Sequence, residues 1–156
     1  MSYNLLIQTL KDVFESDDLV NTVVTGDGTQ VDNFKKNLFP LIHIEVTGYQ
    51  PVNINNTSMV QWETIITCVD IRDENKEEDR DKIRYNDNRH DNWNTTAYIL
   101  RNGEVKMIKG QNDKNISLAS TGVADILSEV RENTLDGWFQ TWSILVPDIY
   151  VKACDL

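Results

Sequence analysis

Apolar positions in the first fourteen residues recur at helical spacing. Tyr3, Leu6, Ile7, Leu10, Val13 and Phe14 share one face, while Lys11, Asp12 and Glu15 point away. This pattern predicts an amphipathic helix that breaks near residues 16–18. The following LVNTVV fits either a short helical turn or an extended segment, and TGDGTQVDN after it reads as a loop. At residues 39–48, FPLIHIEVTG, the pattern becomes that of a strand, with Pro40 at its start, where a missing donor is tolerated. Residues 57–71 alternate more cleanly. Val60, Trp62, Thr64, Ile66 and Cys68 form one face, and Gln61, Glu63, Ile65, Thr67, Val69 and Ile71 form the other. The intervening YQPVNINN is expected to be the loop of a hairpin.

A second helix is predicted over residues 91–109, with Trp93, Ala97, Leu100 and Met107 as its stripe. Asp91 or Asn92 would cap it and Gly110 would end it. Gly103 in its middle costs about 1 kcal/mol relative to Ala. QNDKNIS reads as a loop, and residues 122–132 as a third strand. In the last run, NTLDGWFQTWSILVPD, Trp138, Trp142, Ile144 and Val146 alternate with Phe139, Thr141, Ser143 and Leu145. That is a fourth strand, entered by a turn at Asp136-Gly137 and closed by Pro147.

The predicted order is therefore α-β-β-α-β-β. The expected fold is α+β, a four-stranded antiparallel sheet with two helices packed on one face. Leu6, Leu10, Phe14, Trp62, Ile66, Trp138, Trp142 and Ile144 are the expected core, with the tryptophans buried beneath the helical stripes.

Composition adds a single domain of 156 residues, with a segment at 72–91 in which fourteen of twenty residues are charged. Its eight acids and six bases nearly cancel, as in a solvated loop or arm. No run approaches the roughly 20 apolar residues that span a bilayer. The N-terminal residues lack a basic leader with a small-residue cleavage site, so a cytosolic origin is expected. Net charge is −10, which argues against broad binding of a phosphate backbone. Cys68 and Cys154 match no Cys-x-x-Cys pattern, and Cys68 falls in an apolar strand as a small hydrophobe.

Candidate chemistry is sparse. His43 lies within a strand beside Glu45 and reads as structural, and His90 sits in the charged segment. No Gly-x-Ser-x-Gly elbow or triad is present. DIRDENKEED fails the EF-hand spacing, with Asn75 where glycine is needed. Gly26-Asp27-Gly28 is too short for a dinucleotide fingerprint. Four Asn-x-Ser/Thr sequons, at Asn55, Asn56, Asn94 and Asn115, are what chance gives in a chain with sixteen asparagines. No catalytic, cofactor-binding or metal residue is assigned.

The run VNTVVTGDGTQVDNFKKNLFPLIHIEV, following the amphipathic helix, resembles a block in the neck and tail-terminator-like proteins of tailed bacteriophages. Asp70 at the end of the second strand, Asn94-Thr95 in the second helix and Leu135 to Trp138 before the last strand extend the likeness over most of the chain. The resemblance implies a structural virion protein rather than an enzyme. It would be made in the host cytoplasm and form a homo-oligomeric ring of sixfold or twelvefold symmetry beside portal, adaptor or tail proteins. DNA would pass through the ring without specific binding, past carboxylates that repel phosphate. Ring contacts are heterologous, so each subunit offers two patches. Val69, Ile71, Phe139 and the arginines Arg72, Arg80 and Arg84 of the charged segment are the candidates. Two other readings stand beside it: a small soluble protein-binding adaptor acting as monomer or dimer, and an enzyme with a site assembled from scattered acids.

Overall fold

A computed structural model describes residues 3–26, 38–71, 82–108, 116–130 and 134–148, with backbone only at 82–88, 129, 130 and 134. The elements are α1 (Tyr3–Glu15), β1 (Thr22–Thr25), β2 (Leu41–Ile54), β3 (Thr57–Ile71), α2 (Lys82–Ile108), β4 (Ser117–Thr121), β5 (Asp125–Val130) and β6 (Thr134–Pro147). They build one mixed sheet in the order β1-β2-β3-β6-β4, with β5 also paired to β6. Among the described residues no helix is long and apolar enough to cross a membrane.

This corrects the expected sheet of four antiparallel strands. β1 runs parallel to β2, pairing Thr22–Thr25 with Leu41–Ile44. Its four residues are too few for a period to show. β2 continues through the stretch expected to be a loop, and the hairpin turns at Asn55 and Asn56, with φ of 51° and 64°. Both values are left-handed, which asparagine tolerates and a two-residue hairpin turn requires. Pro51 fits within β2 because, among the described residues, no strand pairs there on the side away from β3.

The third expected strand, at 122–132, is β5, and an unexpected strand, β4, precedes it. β4 and β5 follow each other along β6, separated by residues 122–124, and β4 starts inside the expected loop. The expected turn at Asp136-Gly137 is strand instead, since β6 begins at Thr134 and pairs with β3 from Leu135 onward. There Gly137 permits close approach: a Cβ on it would lie 1.9 Å from the Cys68 carbonyl oxygen and 2.8 Å from Val69 Cα. α2 begins at Lys82, so residues 82–91 are helical rather than part of a charged loop. Residues 72–81 lie outside the described set.

Both helices lie over one sheet face and share its core. Leu6, Leu10 and Phe14 of α1 and Ile99, Leu100 and Met107 of α2 meet Trp62, Ile66, Trp142 and Ile144. Phe14 stacks on Trp142 with ring centroids 5.7 Å apart. Trp138 is half-buried at the margin of this core and donates its indole N–H to the Trp93 carbonyl at 2.8 Å. A second, smaller cluster of Phe39, Leu41, Val69 and Leu135 sits on the other face at one end, with Val24, Ile71 and Leu127 against it.

Candidate interaction face

Strand alternation sends every second side chain to the face away from the helices. The register there can be followed row by row from the hairpin turn. Ile54 faces Thr57, and Val52, Met59 and Pro147 come next. Gln50, Gln61 and Leu145 follow, then Gly48, Glu63 and Ser143, then Glu45, Ile65 and Thr141. Thr67, Phe139 and Asp125 complete the open part, with His43 buried beside Thr67, and beyond them lies the cluster around Leu41 and Val69. None of the described helices contributes a residue to that cluster. Ile54 and Phe139 are 40% and 37% exposed, which is high for large apolar side chains on a sheet.

Charge is distributed unevenly along this sheet. Residues 46–62, 117–124 and 137–147 hold no Asp, Glu, Lys or Arg, in a chain where 26% of residues are charged. The pairing of β2, β3, β6 and β4 sets residues 46–62, 117–121 and 142–147 side by side at the hairpin end, while residues 137–141 carry the uncharged run of β6 on towards the other end. Glu63 interrupts this stretch on the open face, and its carboxylate is held in place by in-sheet donors. Ser143 Oγ donates at 2.7–2.9 Å and Gln61 Nε2 at 3.0 Å.

The opposite end of the sheet is polar. Asp136 is fully buried, faces Asp70 across the β3–β6 ladder, and accepts from Ser128 Oγ at 3.1 Å and Asn92 Nδ2 at 3.5 Å. Arg89 Nε stands 3.9 Å from Asp136 Oδ1, and its guanidinium lies 4.6 Å over the Trp93 ring. Burial raises the Asp70 carboxyl above its ordinary value. The Ile71 N–H that it accepts lowers it, and Asp136 adds to the rise. Burial likewise pushes the Cys68 thiol well up, with Asp70 and Asp17 adding to it, so this cysteine carries little thiolate. With Arg89 inside it, the cluster ties α2 to β5 and β6 and is a poor seat for a cation. Among the described residues no group of three His, Cys, Asp or Glu is placed to hold a metal ion. His43 is buried, with Nε2 2.6 Å from the Gly26 carbonyl oxygen. A groove of about 290 Å³ between α2 and β6 is lined by Ala97, Leu100, Arg101, Glu104, Ala124, Trp138 and Gln140.

The structure separates the residues expected to form the subunit contact. Val69 is 1% exposed inside its own chain, and Ile71 is half-buried beside it. Phe139 is on the same face but open to solvent. Arg84 lies in the backbone-only part of α2, and Arg72 and Arg80 fall outside the described residues. Sequence reading passed over the hairpin end with Val52, Ile54 and Met59. The available signal was the long absence of charge between Glu45 and Glu63. No known protein-family model matches the chain, and no curated protein is significantly similar to it in sequence.

Proposed function

We propose that this chain is a structural subunit of a tailed-phage neck, assembling with itself into a ring of six or twelve between portal and tail. It would act as a tail terminator or a head–tail adaptor. The observation that carries the reading is a stretch of sheet almost free of charge, whose open face carries Val52, Ile54, Met59, Leu145, Ile65 and Phe139 among polar residues, on a chain of net charge −10. Copies so acidic repel one another except through surfaces that hold no charge. The remaining carboxylates suit the wall of a passage that DNA crosses without sticking. The resemblance of residues 20–46 to neck and terminator proteins supplies the virion context.

A second reading, a protein-binding adaptor working as monomer or dimer, draws on the groove beside Trp138, an indole-walled slot with Arg101 and Glu104 at its rim. Mass photometry and negative-stain imaging over a range of concentration and salt separate the two. Rings of six or twelve support the neck reading. Monomers or dimers at every concentration, unchanged by added portal, favour the adaptor.

A further inference from the structure

The β2–β3 hairpin outruns its neighbours. β1 stops at Thr25 beside Ile44, and β6 stops pairing at Pro147 opposite Met59. Past that point Asp148 reaches the ribbon, donating its N–H to the Ser58 carbonyl at 3.2 Å, its carboxylate accepting from Ser58 Oγ at 3.2 Å. A two-stranded ribbon is marginal in water by itself. This one's own residues are uncharged, the Asp148 carboxylate at Ser58 apart, and it presents Val52, Ile54 and Met59 on the open-face side.

Strand addition does not suit it. β2 is bulged in its ladder with β3 between Val46 and Gly48 and then meets Pro51, which has no N–H, and β4 is bulged in its ladder with β6 between Leu118 and Ser120. Bulges and proline blunt an edge against pairing. Contact must therefore come through side chains. A nucleic acid would seek cations, and a basic partner would seek the acidic surface. A second copy of this acidic chain is the partner for which a neutral surface is needed. The receiving residues are flanked by carboxylates, Glu45 beside Ile65 and Asp125 beside Phe139, so what covers them must carry no negative charge of its own. Glu63, nearer the middle, already has donors from Ser143 and Gln61, which reduces the cost of covering it.

We infer that the ribbon of one copy lies across the open face of the next, seating Val52, Ile54 and Met59 on Ile65 and Phe139, so that each copy gives a ribbon and receives one. The inference rests on the ring reading and names the contact that closes the ring, a heterologous one.

The test is cross-linking in a Cys154→Ser background carrying Ile54→Cys and Thr141→Cys, Thr141 being the β6 neighbour of Ile65. Oxidation is expected to give a ladder of covalent multimers running past the dimer, which neither single cysteine gives. In parallel, Ile54→Asp with Met59→Asp is expected to weaken assembly at least tenfold at an unchanged melting temperature. A product that stops at the dimer overturns the head-to-tail contact. Intact rings without cross-linking, or normal assembly of the aspartate variant, overturn the ribbon contact and leave the ring reading standing. A monomer at every concentration, with or without portal, overturns both.

Discussion

Phe14 lies directly over Gly103: a Cβ built on that glycine would meet the ring at 2.5 Å from Cε1 and 2.8 Å from Cζ. Gly103 is buried in the middle of α2, where glycine costs about 1 kcal/mol relative to alanine. The close approach of α1 to α2, which sets Phe14 on Trp142, is the compensating gain.

Gly103→Ala is accordingly expected to lower stability although it improves helix propensity. Overpacking of about 1–3 kcal/mol outweighs the gain of about 1 kcal/mol. Thermal melts of Gly103→Ala, Phe14→Leu and the double variant check this. The double variant should lose less than the sum of the two singles, because the smaller side chain vacates the space the methyl needs. Strict additivity would show that the two residues do not compete for that space.

Gly137→Ala should be costlier. The neighbours of its would-be Cβ are the carbonyl and Cα of Cys68 and Val69, which are backbone and cannot rotate aside. The loss is expected at or beyond the upper end of the roughly 1–3 kcal/mol that overpacking costs. A urea midpoint close to that of the unsubstituted chain would mean that β3 and β6 can separate at this point without penalty.

What could be read from the chain followed from how one-sided each element is. β3 and β6 alternate because one face is buried under helices, so their periods were visible, as was the stripe of α1 through Leu6, Leu10 and Phe14. β1 was lost because TVVT is too short to show a period. The outer part of β2 was lost because Pro51, Asn53 and the turn asparagines Asn55 and Asn56 together resemble a loop when no edge position is known. The first turns of α2 carry charge on many sides, so no apolar stripe announces them. The nearly uncharged stretch of sheet was the least legible. Its three runs are as much as about a hundred residues apart in sequence, and only the pairing of β3 and β4 with β6 brings them together.

Asp70 gives the fold a pH dependence whose sign follows from its surroundings. Burial raises its folded pKa above the ordinary 3.8, the Ile71 N–H offsets part of this, and Asp136 reinforces it. A carboxyl raised on folding binds its proton more tightly in the folded chain. Its contribution is therefore most favourable below the unfolded pKa and is lost as pH rises through the folded value. At neutral pH the charged form is the disfavoured one, so Asp70→Asn, which keeps an acceptor for the Ile71 N–H, is expected to raise the melting temperature. The advantage should shrink as pH falls and vanish near and below about 4, where the unfolded aspartate also becomes protonated. Melts of both proteins from pH 7 to pH 3 check this. A gap that persists unchanged at pH 3, or an asparagine variant less stable at pH 7, would show that the Asp70 charge is not a cost to this fold.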